Sequence, residues 1–258
     1  GLNLAVGGVS GAQVGVVNVA QVAPGYAQTD GDRAVMRGMQ AGILNVAGDV
    51  RGMQASFLNI ARGEVRGLQL GLLNIAHTST TSIGLVNVMR DEPVYGLAWA
   101  ESNGTLRAGI AHGSRHFRNL LVVGIEPFGD EQRWSAGFGL QGRATRDRFF
   151  AEFDVLAHAQ GKLGERPTVV VTDEGGGDTT VALNRVDALT QARASIGFEL
   201  APRFAVYGGV IQNALFTDDP EHDQPPSRAT PLDIGAAADV GDEVYLYLWP
   251  TLFAGMRF

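Results

Sequence analysis

The chain has 258 residues, 45% of them hydrophobic, with a mean hydropathy of only +0.03, a net charge of −7 and no cysteine. This excludes disulfides and thiolate metal sites and argues against a nucleic-acid partner, which would draw on clustered basic residues. No run reaches the roughly 18 apolar residues that a membrane-spanning helix needs, whereas a membrane barrel stays open because its strands hide their hydrophobicity in alternation.

The first third is built from one recurring unit. GAQVGVVNVA at Gly11–Ala20 returns as GMQAGILNVA at Gly38–Ala47, GMQASFLNIA at Gly52–Ala61, GLQLGLLNIA at Gly67–Ala76 and a worn SIGLVNVM at Ser82–Met89. A clipped LNLA at Leu2–Ala5 matches the tail of a further copy. The repeat asparagines Asn3, Asn18, Asn45, Asn59, Asn74 and Asn87 are separated by 15, 27, 14, 15 and 13 residues. The period is therefore about 14, with one copy missing or degenerate near residues 21–37, and a fixed period is architecture before it is chemistry. No signal-peptide pattern opens the chain, and a start inside a repeat fits a processed or trimmed beginning.

Within a copy, alternate residues separate. Leu68, Leu70 and Leu72 share one face with Asn74 and Ala76, and Gln69 and Gly71 share the other with Leu73 and Ile75. Alternation over ten residues, bounded by turns such as GDVRG and RGEVRG, predicts one strand per copy. Two layouts follow. An antiparallel meander makes each copy one crossing of a sheet; a parallel solenoid stacks Gln13, Gln40, Gln54 and Gln69 into ladders. Turns of four or five residues favour the meander, since parallel neighbours usually need longer crossovers.

Beyond Pro93 the period fades into ordinary hairpins. Strands are predicted over 94–100, 105–112, 118–125, 133–143, 148–158, 188–200, 203–213 and 244–258, with an ambiguous piece at Leu232–Val240. Each keeps its charges on one side: Phe149, Ala151, Phe153 and Val155 oppose Glu152, Asp154 and His158. Such strands are long for a soluble sandwich and suit a tilted membrane crossing.

The final residues, LWPTLFAGMRF, place Leu252, Ala254, Met256 and Phe258 on alternate positions and end in phenylalanine. This resembles the C-terminal strand of bacterial outer-membrane proteins, which implies recognition by the barrel-assembly machinery through those residues. The repeats resemble the GLQxGxxNxA surface repeats of bacterial outer-membrane and surface proteins. Together the resemblances imply an all-β fold in the outer membrane. The expectation is one antiparallel transmembrane barrel of about 14 strands (range 12 to 16), residues 1–92 supplying repeat strands and 93–258 the irregular hairpins. Arg133, Arg143, Glu152, Asp154, Arg193, Glu199, Arg203, Gln40, Gln54 and Gln69 are the candidates to line its lumen.

The expected role is a non-enzymatic envelope component, a subunit or anchor of a surface complex or a narrow channel, without cofactor or metal. The expected partners are outer-membrane lipid, lipopolysaccharide and other envelope proteins. A passive porin is the first alternative. The second is a lipid-modifying barrel enzyme using His112, Ser114 and His116, since such hydrolases need a Ser/His pair. The carboxylates of Asp173–Asp178 lack ordered calcium-ligand spacing, and the acidic Asp218–Asp223 suits a cation bridge to lipopolysaccharide.

Overall fold

The structure is a computed structural model and describes residues 1–21, 34–128, 132–164, 168–174, 178–184, 187–217 and 245–258. It divides into two compact units. The first comprises Gly1–Tyr95 with Ala111–Asn119 and Leu140–Ala144, and the second Gly96–Ile110, Leu120–Gly139 and Thr145–Phe258.

The repeats form a parallel solenoid, not a meander. Each copy breaks at its second glycine or serine and supplies two short strands to two different sheets. One sheet holds β1 (Leu2–Val6), β3 (Val17–Gln21), β5 (Leu44–Ala47), β7 (Leu58–Ala61), β9 (Leu73–Ala76) and β11 (Val86–Met89), in that order. The other holds β2 (Val9–Val14), β4 (Val35–Ala41), β6 (Asp49–Ala55), β8 (Glu64–Leu70) and β10 (Thr78–Ile83). Every pairing is parallel, and equivalent residues stand side by side: Asn45 beside Asn59, Gln54 beside Gln69.

The break decides which residues face inward. Gln40 lies inside before it and Asn45 inside after it, whereas the intervening Ile43 is exposed. One uninterrupted strand would put Gln and Asn on opposite faces; the turn at Gly42–Ile43 puts both amides in the interior. Leu73 and Ile75, expected inward, accordingly lie on the outer side of their sheet, opposite the buried Asn74 and Ala76. The interior beyond the amides is a narrow apolar core of Met36, Val50 and Val65 against Ala20, Ala47, Ala61 and Ala76. Small alanines are needed there because a coil of about 14 residues leaves the sheets little separation.

Close stacking also fixes a glycine column. Gly52 has φ +143°, and a Cβ there would come 2.0 Å from the Gly38 carbonyl oxygen, a contact no side chain tolerates. Across the 27-residue spacing β2 pairs directly with β4 and β3 with β5, so neither sheet has a gap where a copy was expected to be missing or degenerate; residues 22–33 lie outside the described residues.

Beyond the repeats the chain forms a closed antiparallel barrel of eight strands, most of whose residues belong to the second unit, correcting the expected 14. Its order is β12 (Tyr95–Glu101), β13 (Leu106–Gly113), β14 (Phe117–Glu126), β15 (Arg133–Arg146), β16 (Phe149–Lys162), β19 (Asp187–Ala201), β20 (Phe204–Thr217) and β21 (Tyr245–Arg257). β21 pairs with both β20 and β12, which closes the sheet. All eight correspond to strands predicted beyond Pro93, and they close without any help from the repeats. Between β16 and β19 the chain forms a hairpin of β17 (Thr168–Glu174) and β18 (Asp178–Asn184), where only a loop was expected. The Leu232–Val240 piece and the Asp218–Asp223 cluster lie outside the described residues, as does the centre of Asp173–Asp178.

The barrel's polarity is inverted relative to a soluble protein. Along β16, Phe149, Ala151, Phe153, Val155 and Ala157 are exposed, while Glu152, Asp154, Leu156 and His158 are buried. β19 does the same, with Ile196 74% exposed and Arg193 1%. A soluble barrel would reverse both sets.

Candidate functional site: the barrel interior

Inward positions of the barrel carry ionised groups, and desolvated charges must pair to be tolerated. Arg193 donates from Nε to Asp154 Oδ2 at 2.6 Å, both side chains being fully buried. Its guanidinium also lies over the rings of Trp99 and Phe253, at 4.4 and 5.0 Å from their centroids. Planar, weakly hydrated arginine suits such a place, accepting a carboxylate in its plane and aromatic rings on its faces.

A second pair lies nearby. Arg107 donates from Nε to Glu101 Oε1 at 2.6 Å and from a terminal nitrogen to Ser135 Oγ at 2.7 Å. Trp99 Nε1 and Gln191 Nε2 also donate to that Glu101 oxygen. Gln191 continues the network to Asn213 Oδ1 at 2.7 Å, and Asn213 donates to Thr251 Oγ1 at 3.1 Å. A third cluster surrounds Arg257, which contacts Glu152 at 3.5 Å and Glu199 at 2.8 Å and lies over the Phe150 ring.

Among the described residues, the charges and their aromatic covers pack the interior. The cavity lined by Arg107, Glu126, Arg133, Ser135, Asn213 and Trp249 holds about 30 Å³, room for one or two waters. Leu189, Leu215 and Trp249 pack together beside it. An eight-stranded barrel is just wide enough for its side chains to occupy its inside, and these do so.

The sequence-derived lumen candidates divide accordingly. Glu152, Asp154 and Arg193 are buried in the barrel, and Arg133 borders the small cavity. Glu199 is half-exposed beside Arg257. Arg203 is exposed in the two-residue turn between β19 and β20, at φ +66°, and lines nothing. Arg143 is buried but belongs to the repeat unit, where its backbone N–H donates to the His116 carbonyl. Gln40, Gln54 and Gln69 belong to the solenoid interior, not to the barrel. Glu101, Arg107 and Arg257 were missed. Their signal was parity: Arg257 alternates with the apolar Met256 and Phe258, and Arg107 with Leu106 and Ala108.

The solenoid has its own polar interior. Asn3, Asn18, Asn45, Asn59, Asn74 and Asn87 form a ladder, each Nδ2 donating to the next Oδ1 at 2.6 to 3.0 Å. Gln69, Gln54 and Gln40 donate the other way, each to the preceding glutamine, ending on Gln13 Oε1. The last coil is capped. Asn119 Oδ1 accepts from the Asn87 side chain and backbone at 2.9 Å, and Ser82 Oγ terminates the glutamine ladder.

Of the His112, Ser114 and His116 side chains, the first two bond to the last coil. Ser114 Oγ accepts from the Ser82 backbone N–H and donates to the Phe117 carbonyl. His112 Nε2 accepts from Met89 N–H at 3.2 Å, and His116 Nδ1 lies 3.2 Å from the Arg143 carbonyl. Ser114 is buried, with backbone groups of Ser82 and Phe117 as its partners. At the solenoid's charged edge, a hydrogen bond from Arg66 holds the Glu64 carboxyl below its ordinary range. Among the described residues no cluster of three or more His, Asp or Glu forms a metal site.

No protein-family model matches the chain, and no curated protein does. Among solved structures, the crystal structure of Neisserial surface protein A (NspA) matches at 12% identity and a TM-score of 0.36, covering 64% of this chain and 91% of that one.

Proposed function

We propose that the chain is a bacterial outer-membrane β-barrel with a non-enzymatic role, anchoring an envelope complex. The observation that carries this is the inverted polarity of the barrel: Phe153, Val155, Ile196 and Val210 exposed, Glu152, Asp154 and Arg193 buried. In water that arrangement would expose a continuous aliphatic and aromatic belt while desolvating ion pairs; in lipid it is the stable one. β15, β16, β19, β20 and β21 have 13 to 15 residues, enough for a tilted crossing.

Aromatic placement agrees. Phe149, Phe204 and Phe258 are exposed at the end of the tight turns, and Phe128 and Phe216 at the other end, like the girdles at membrane interfaces. Tight turns at Asp147–Arg148 and Pro202–Arg203 then belong to the periplasmic side, and the connection after β16 with its β17–β18 hairpin to the outside. Leu252, Ala254, Met256 and Phe258 all face outward on or just beyond β21, which supports their expected reading by the barrel-assembly machinery. Lipid, lipopolysaccharide and other envelope proteins are the proposed partners.

The filled interior favours an anchor over the channel and porin alternatives. Heat-modifiable migration in detergent gels tests the barrel, and a chain soluble without detergent would sink it. Planar-bilayer recording of the folded protein is expected to stay silent; reproducible conductance steps would restore the channel.

A further inference from the structure

The solenoid has an apolar tip and a charged base. Each coil runs up the β2-type sheet, turns, and returns down the β1-type sheet. At every turn the residue after the break is a large exposed hydrophobe: Val16, Ile43, Phe57, Leu72 and Leu85, with Phe57 63% and Ile43 59% exposed. The outward positions of the returning strands, such as Leu58 and Ile60 in β7, are aliphatic as well. Between Arg51 and Arg62 no residue is charged; Asp49, Arg51, Arg62, Glu64 and Arg66 gather at the opposite edge.

We infer that this tip inserts into the hydrocarbon of one membrane leaflet, with the charged edge at headgroup depth. The inference rests on the reading of the chain as a membrane protein. Depth fits: β6 runs four residues on from Arg51 to Ala55 before the turn, about 13 Å at the strand rise of about 3.3 Å, against about 15 Å for half a hydrocarbon core. Interior chemistry fits too. In lipid every polar group must be satisfied within the protein. The coils from β4 to β9 have backbone neighbours on both sides, and their Asn and Gln amides are bonded to one another.

Lipid suits the surface better than a protein does. Protein interfaces carry about one hydrogen bond per 100–200 Å². The tip is a row of turns whose exposed side chains, Val16, Ile43, Phe57, Leu72 and Leu85, are hydrocarbon, repeated from coil to coil without a polar anchor.

The cysteine-free chain makes the test direct. Single variants Phe57→Cys and Leu72→Cys at the tip, Arg51→Cys at the edge and Phe153→Cys on the barrel exterior each carry an environment-sensitive nitrobenzoxadiazole. The full chain is reconstituted in phosphatidylethanolamine–phosphatidylglycerol vesicles with a nitroxide midway along the acyl chain or on the headgroup. The tip labels are expected to be blue-shifted and quenched severalfold more by the acyl nitroxide than by the headgroup one, with the order reversed at residue 51. Tip labels open to aqueous iodide while residue 153 stays lipid-quenched would overturn tip insertion alone. If residue 153 is water-exposed as well, the membrane reading falls with it. Tip labels shielded from both quenchers, with cross-links between copies, would assign the tip to a second chain and overturn the inference.

Discussion

Arg193 is held by one carboxylate and two aromatic faces, so its substitutions separate charge from shape. Arg193→Met would leave Asp154 buried beside a hydrocarbon. Loss of one partner of a buried pair typically costs about 3–5 kcal/mol. We expect a shift of that size in urea unfolding of the vesicle-inserted barrel. Arg193→Met combined with Asp154→Leu should recover much of it, because both charges of the pair are then removed together. Arg193→Lys keeps the charge but loses the planar stacking on Trp99, and should fall between the two. A double variant as unstable as the single one would show that packing, and not charge, holds the interior. Asp154 and Arg193 were legible in the sequence from parity alone. Their partnership was not, because it depends on β16 lying beside β19 with residue 154 opposite 193, across the intervening hairpin.

In the solenoid, the element is a coil held by its neighbours. Asn59 accepts from Asn45 and Ser56 and donates to the Leu70 carbonyl and Asn74. Asn59→Leu should therefore strand several buried groups at about 1–3 kcal/mol each, read as accelerated proteolysis of the repeat unit. Gly52→Ala tests a different cause: its φ of +143° and the close Gly38 carbonyl leave a Cβ no space. Strained backbone alone costs on the order of 1–3 kcal/mol, and the clash adds to it, so this coil should open while the barrel keeps its heat-modifiable migration. The period and the strand content of the repeats were visible in the sequence, but the pairing was misread. Short turns suit a hairpin and a solenoid corner equally, so turn length did not discriminate. The deciding signal was the recurrence of Asn and Gln at fixed positions. Identical amides bond in a ladder only where equivalent residues are adjacent, as parallel coils place them.

For the whole molecule, two units share one feature: hydrogen-bonded amides or paired charges are buried while large hydrocarbon side chains stand exposed. The eight barrel strands were legible because each is long and alternates cleanly. The strand total was overestimated because repeat strands with the same apolar alternation were counted into the same closed sheet. The barrel side of this feature has a sharp test. Phe153→Arg places a cation on the outer face of β16, where a mid-depth arginine costs about 2–4 kcal/mol. Folding yield into vesicles should drop, and unfolding in urea should shift by a comparable amount. An unchanged protein would place residue 153 outside the hydrocarbon.

The two amide ladders run in opposite senses. Asparagines donate towards Asn87 and Asn119, glutamines towards Gln13. Each ladder is a string of aligned dipoles, and side by side the strings largely cancel, so the stack gathers little field at either end. Asn119 and Ser114 close the end at Asn87 and Ser82. Order should therefore spread from this closed end, each coil finding its donors and acceptors already oriented. Hydrogen exchange would record that direction as protection of β8 and β9 that falls when Asn119→Leu removes the closing acceptor.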